Sequence, residues 1–231
     1  MSATGAFNGH RLRTGVQRGE VIVLVNDLDR NPHGILFVAA EKATPESVSF
    51  IITHGSGFVC VAIAEEECDR LWLPAMPLVG CARADAIGYA VSVDASHGTT
   101  TGISGRDRAR TIAALADRTS TPDDFTRPGH VLPIRVSSRP GEGGSDYARA
   151  AVQLAALAGC RPAGAVCALT DPASEISLAG PEQAVEFAEH HGLLTVSTSD
   201  LLASELTSAA AANAACGCAS SGSWLPGSVA S

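Results

Sequence analysis

The 231-residue chain has no run near the roughly 20 apolar residues of a membrane-spanning helix, no basic cluster, no internal repeat and no regular cysteine spacing. The first absence excludes a helical span. The second, with a formal net charge of −8, removes the usual means of gripping a phosphate backbone, so nucleic acid is not an expected partner. The opening "MSATGAFNGHRLRTGVQRGE" contains no apolar segment of signal type, which points to a soluble, cytoplasmic protein. The seven cysteines, Cys60, Cys68, Cys81, Cys160, Cys167, Cys216 and Cys218, are odd in number and irregularly placed, against a disulfide framework. Only Cys216 and Cys218 lie close together. With no other Cys or His pair near them in sequence, they read as free thiols rather than a metal site.

A hydrophobic content of 45 % is ample for a buried core. Apolar β-branched runs predict strands at 21–25, 35–39, 58–63, 88–94, 130–136, 164–169 and 193–197. Helical patterns fall at 45–53, 105–117, 146–158, 181–191 and 199–206. Thr44-Pro45 sets a cap residue before a proline at the first helical position, and Ser104 and Asp107 have capping-box spacing. Interleaved strands and helices favour a layered α/β (α+β) domain, spanning 1–206. The Ala/Ser/Gly-rich stretch 207–231 reads as a loosely docked or disordered tail, with a short helical extension as the alternative.

Four segments could hold chemistry. "VNDLDRNPHGIL" (25–36) is a polar loop between two strands, carrying Asp27, Asp29, Arg30 and His33. "THGSGFVCVAI" places His54, Gly55, Ser56 and Gly57 before a strand with Cys60, and its glycines permit close backbone approach to an anion. "SHGTTTGISGRDR" (96–108) feeds threonine hydroxyls, Thr100 and Thr101 among them, into a helix start that favours a phosphate or carboxylate, although simple capping explains it equally well. "TRPGHVLPIRV" presents His130 on a rigid Pro-Gly turn, suited to an acid/base role.

Taken together, "HGSGFVC", the "TTGIS" and "RDRARTI" stretches, "TRPGHVLP" and "LAGCRPAGAVC" resemble the 3,4-dihydroxy-2-butanone-4-phosphate synthase family of riboflavin biosynthesis, over roughly residues 15–203. The resemblance implies a mixed-sheet α/β fold and a homodimer with shared active sites. It also implies an enzyme that takes ribulose 5-phosphate through an enediol and expels formate, with Mg²⁺ on the substrate oxygens. The family's Asp-Arg-Glu-Asn-Glu-Gly-Asp loop falls on Asp29, Arg30, Asn31, Pro32, His33, Gly34 and Ile35. Arg30, a substrate contact, is kept, while the acidic positions become Asn31, His33 and Ile35. The family's metal-binding His falls on Tyr147, a following Glu on Arg149, and a third essential Glu on Ala168. His130 remains, with Cys60 and the threonine loop.

Mg²⁺ requires hard oxygen ligands, which Asn31 and a neutral Tyr147 phenol supply poorly. The sequence therefore favours an enzyme of altered chemistry: a metal-independent lyase, isomerase or cyclase without a cofactor. It would act on a small, less polar metabolite of specialised biosynthesis. His130, Cys60, His33 and Tyr147 would then be catalytic, and Arg30, Ser56, Thr100, Thr101 and Arg149 would bind substrate. The alternatives are a true synthase whose Mg²⁺ is held by other groups such as Asp27, Asp29 or His33, and a non-catalytic homologue that binds a ligand or a partner.

Overall fold

Strands buried on both faces carry apolar residues in both alternating sets, and the central strands of this chain do so. The computed structural model describes residues 9–77, 87–137 and 145–203. Its strands are β1 (Ile22–Asn26), β2 (His33–Ala39), β3 (Cys60–Ala64), β4 (Val93–Ala95), β5 (Phe125–Val136), β6 (Ala163–Ala168), β7 (Thr170–Asp171), β8 (Ser174–Leu178) and β9 (Leu194–Ser197). Seven of them form one sheet in the order β4-β5-β3-β6-β2-β1-β9, and β7 pairs only with β8. The pairs β3–β5 and β1–β9 are parallel and the other neighbours antiparallel, so the sheet is mixed, as the resemblance implies.

Val23, Leu36, Val38, Val61, Ile63 and Ala165 join one core, and Ile22, Leu24, Phe37, Ala62 and Ile134 the other. Helices α2 (Pro45–His54), α4 (Gly105–Ala116) and α6 (Pro181–His191) close the first core with Val48, Ile51, Ile112, Leu115 and Phe187. Helices α1 (Gly9–Gln17) and α5 (Asp146–Leu157) close the second with Leu12, Val16 and Leu154. The result is the layered α/β architecture expected from the sequence.

The local signals are realised in different ways. At α2 the Ser47 N–H donates to Thr44 Oγ1 at 3.2 Å and the Thr44 N–H to Ser47 Oγ at 3.0 Å, a complete capping box. At α4 only half of one forms: the Asp107 N–H donates to Ser104 Oγ at 3.1 Å, while the Asp107 carboxylate turns elsewhere. The strand expected at 88–94 shrinks to Val93–Ala95, because Tyr89 and Ala90 make only isolated bridges, to Ile134 and Ala75. Helix α3 (Glu65–Arg70) escapes a periodicity search because Cys68 is its one buried side chain. Residues 198–203 are helical, and the rest of the helix expected at 199–206 lies outside the described residues, as does the tail at 207–231.

Sheet and α5 meet closely at Gly164. A β-carbon there would collide with the Phe37 ring and sit 3.2 Å from Ala151 Cβ. Gly164→Ala is expected to cost roughly 1–3 kcal/mol by denaturant unfolding, as overpacked cores do. Phe37→Leu in the same chain should recover part of that loss. Simple additivity of the two substitutions would show that the ring is not the obstacle.

Candidate functional site

The register of the central strands places Ile35 opposite Ala168 and Cys60 opposite Val166. These side chains form one wall of a cavity of about 220 Å³. Asp29 from the loop before β2 and His33 at the start of β2 close it, with Ser56 and Phe58 from the turn before β3, and Tyr89 and Tyr147 also line it. The loop is shaped by Asp29. Its Oδ1 accepts the Asn31 N–H at 3.2 Å and its Oδ2 accepts from Asn26 Nδ2 at 3.3 Å. His33 Nδ1 lies 2.8 Å from the Asn31 carbonyl oxygen, which can only accept. Nδ1 therefore carries the proton, and in the neutral ring Nε2 is free to take one.

Burial sets the protonation of the inner wall. It pushes the Cys60 thiol up to about 12, with Cys167 adding to the shift, so Cys60 is an uncharged thiol at neutral pH. Tyr147 is likewise held above the ordinary phenol range by burial and by the neighbouring Tyr89. Phe58 packs edge-on against Tyr89, with centroids 6.0 Å apart.

A second constellation stands next to α4. His130 Nδ1 lies 2.7 Å from Asp94 Oδ2, and the His130 N–H donates to Asp94 Oδ1 at 2.9 Å. Asp94 is 8 % exposed, so one buried carboxylate fixes both the backbone and the ring of His130. Thr100 Oγ1 and the Gly102 N–H both donate to Asp107 Oδ2, at 2.8 and 3.0 Å. Gly102 touches both groups: its φ is +85°, and a β-carbon there would collide with the Asp94 carboxylate. Arg108 Nη1 donates to the Gly57 carbonyl at 3.0 Å and ties α4 to the cavity's Ser56–Phe58 wall.

The structure thus gathers Cys60, His33, Tyr147 and Ser56 around one cavity, and sets His130 with Thr100 in the neighbouring group. Arg30 and Thr101 are exposed, and Arg149 is half-buried, 3.4 Å from Asp146. Sequence reasoning missed Asp94, Tyr89, Phe58 and Cys167. The first had a usable signal, an acidic residue ending the apolar "VSV", whereas the others look like ordinary strand or turn residues.

Comparison with known proteins follows the same lines. The family model for 3,4-dihydroxy-2-butanone 4-phosphate synthase matches residues 10–204. Riboflavin biosynthesis protein RibBA of Nocardia farcinica is 45 % identical over 193 residues, covering 81 % of this chain and 45 % of the relative. The protein of the same name from Mycobacterium tuberculosis is 43 % identical over 192 residues, covering 81 % and 44 %. The chain therefore spans less than half the length of these curated relatives. Among solved structures, the 3,4-dihydroxy-2-butanone 4-phosphate synthase of Candida albicans is 34 % identical with a TM-score of 0.74, covering 85 % of this chain and 96 % of that one. A synthase in complex with two magnesium ions is 32 % identical with a TM-score of 0.75, covering 84 % and 94 %.

These findings correct two expectations. Altered chemistry on a less polar metabolite of specialised biosynthesis is overturned by relatives at 43–45 % identity, which are named as riboflavin biosynthesis proteins. The expectation of no cofactor is overturned by the magnesium complex of a solved relative. The donors at this chain's own cavity nevertheless do not fit that ion well. Asp29 already accepts from Asn26 and Asn31, Asn31 and Tyr147 are neutral, and Ile35 and Ala168 offer no side-chain donor. Among the described residues no group of three or more His, Cys, Asp or Glu side chains could hold a metal.

The Asp107 anchor has a pH signature. Its carboxyl is held below the usual range, first by the Thr100 hydroxyl and then by backbone N–H groups. The folded chain then binds fewer protons here than the unfolded one. The resulting stability is present above about pH 4 and is lost as pH falls through the depressed folded value. Asp107→Asn should lower the thermal midpoint at pH 7 and flatten the loss of stability between about pH 4 and pH 2. A variant with the wild-type acid profile would assign that loss to other carboxylates.

Proposed function

The chain belongs to the 3,4-dihydroxy-2-butanone 4-phosphate synthase family, and from that premise we propose that it serves riboflavin biosynthesis as such a synthase, converting ribulose 5-phosphate to the butanone phosphate and formate. The observation that carries the reading is the 45 % identity over 193 residues to a riboflavin biosynthesis protein. The same reading takes the protein to be a cytoplasmic homodimer acting on a small molecule. No described helix is long and apolar enough to cross a membrane.

Within this reading His130 is the proton carrier. The Asp94 carboxylate accepts a hydrogen bond from Nδ1–H and leaves Nε2 to take a proton from substrate and return it. The uncharged Cys60 thiol and the Tyr89–Tyr147 phenols are too weakly acidic to exchange protons freely near pH 7, so they shape the cavity and donate hydrogen bonds. His33 Nε2 is the second base within the cavity. Arg30, Arg149 and Thr101 provide cation and hydroxyl contacts for the phosphate end.

A second reading is favoured by one specific observation: Asn31, Ile35, Tyr147, Arg149 and Ala168 stand where the resemblance places the family's acidic and metal-binding residues. In that reading the protein holds a sugar phosphate or related ligand without turning it over. Incubation with ribulose 5-phosphate and Mg²⁺, followed by formate detection, separates the two. The synthase reading expects formate and the butanone phosphate in equal amounts, and a turnover loss of roughly 10²–10⁴-fold in His130→Gln. Ligand-induced thermal stabilisation without formate would establish the binding reading instead.

A further inference from the structure

On the other side of the α2–β3 turn lies a second cavity of about 630 Å³, which the proposed reaction does not use. One wall, made by His54, Phe187 and His191, belongs to a cluster of four rings that joins the ends of α2 and α6. Phe50 and His54 have centroids 4.4 Å apart, His54 and His191 4.9 Å, Phe187 and His191 4.3 Å, and His54 and Phe187 5.2 Å. His190 extends the stack, 5.1 Å from His191. The charged or titratable groups around the cavity are Glu186, His190 and His191 from α6 and Asp171 from β7. From β6, Cys167 approaches the adjoining Gly55.

The cluster is connected directly to the first cavity. His54 is the last residue of α2, and Ser56 and Phe58, two and four positions on, line that cavity. The His54 carbonyl accepts from Thr170 Oγ1 at 2.8 Å, and the Ser56 N–H donates to the Ala168 carbonyl at 2.8 Å. His54 and the Ser56–Phe58 wall therefore share one short backbone segment, hydrogen-bonded to the end of β6 and to β7.

We propose that the His54–His191 pair is a proton-operated latch, holding α2 to α6 while at most one ring is charged and releasing the Ser56–Phe58 wall when both are. A first proton leaves one neutral imidazole in the pair, and Glu186 and Asp171 line the same cavity. A second proton places two cations in rings 4.9 Å apart, and the stack no longer holds. Burial, and then the neighbouring His191, already keep His54 below the ordinary imidazole range. The folded chain thus binds fewer protons here than the unfolded chain. The contribution of His54 to stability is complete above about pH 6.5 and declines as pH falls through its lowered folded value.

This inference does not rest on the catalytic reading, because its test needs no substrate. Imidazole and backbone-amide NMR shifts of the full chain are followed from pH 8 to pH 5. The expected result is two imidazole midpoints separated by about one pH unit or more, with the Ser56 and Phe58 amides shifting at the lower one. His191→Phe keeps a ring against Phe187 and removes the charge, so His54 should titrate higher and the lower step at Ser56 and Phe58 should vanish. Flat Ser56 and Phe58 amides through the lower midpoint in the wild-type chain would overturn the latch, as would an unsplit titration. Because the wild-type spectra decide alone, a His191→Phe chain that fails to fold leaves the test intact.

Discussion

A carboxylate buried at the first turn of a helix is stable only if its lone pairs are filled, and Asp107, 1 % exposed, fills them from the segment just before its own helix. The Thr100 hydroxyl and the Gly102 N–H both reach Oδ2, folding the threonine loop down onto the start of α4. That fold presses Gly102 against the Asp94 carboxylate and the His130 ring, in a left-handed backbone that suits glycine. Asp94 in turn holds His130 by backbone and ring together. One turn further along α4, the Ala95 N–H donates to Thr111 Oγ1, so the strand bearing Asp94 is pinned to the same helix. The position of His130 is therefore fixed by a chain of contacts that begins at Asp107.

The same chain changes what the threonine loop offers a ligand. A helix start preceded by hydroxyls is an anion site when its donors are free. Here Thr100 gives its proton to Asp107 and Thr99 gives its proton to the Ala95 carbonyl at 2.7 Å, so the protein's own carboxylate takes the anion's place. Thr100 and Thr101 are both exposed, but the Thr100 hydroxyl is spent on Asp107.

Strands whose two faces are both apolar announced the layered sheet in the sequence, because continuous β-branched runs of five to seven residues have few other uses. The caps at Thr44 and Ser104 were legible for the same reason: their chemistry is local. Other features depended on contacts distant in sequence. Asp94 and His130 are 36 residues apart, and no spacing rule connects them. Tyr89 faces the cavity because an isolated bridge to Ile134 ends a strand early, which a run of apolar residues does not reveal. Nor does the "HGSG" turn show that its histidine stacks on α6, 137 residues away in the chain, while its serine faces a cavity on the other side. The family resemblance supplied what periodicity lacked for the overall arrangement. Its implied ligand set was the part in which this chain differed residue by residue.

That difference has a physical pattern. The residues kept from the implied site, His130, Cys60 and the threonine loop, are all built into the fold: Asp94 holds His130, Cys60 is buried between β5 and β6, and Asp107 holds Thr100. Loss of any of them would leave a buried partner unpaired or a core gap, at a cost in stability whatever the protein does. The positions that differ, Asn31, His33, Ile35, Tyr147 and Ala168, border a loop or a cavity and make few fold-wide contacts through polar side-chain atoms. Retention at the first set is what folding alone demands, so it carries little information about turnover. Chemistry is decided at the second set, where an uncharged wall of phenols, thiols and aliphatic groups surrounds Asp29 as the cavity's one carboxylate among the described residues. Among the described residues, His33 in the cavity wall and His130 in the neighbouring group are the imidazoles nearest such a ligand, beside the Asp29 carboxylate.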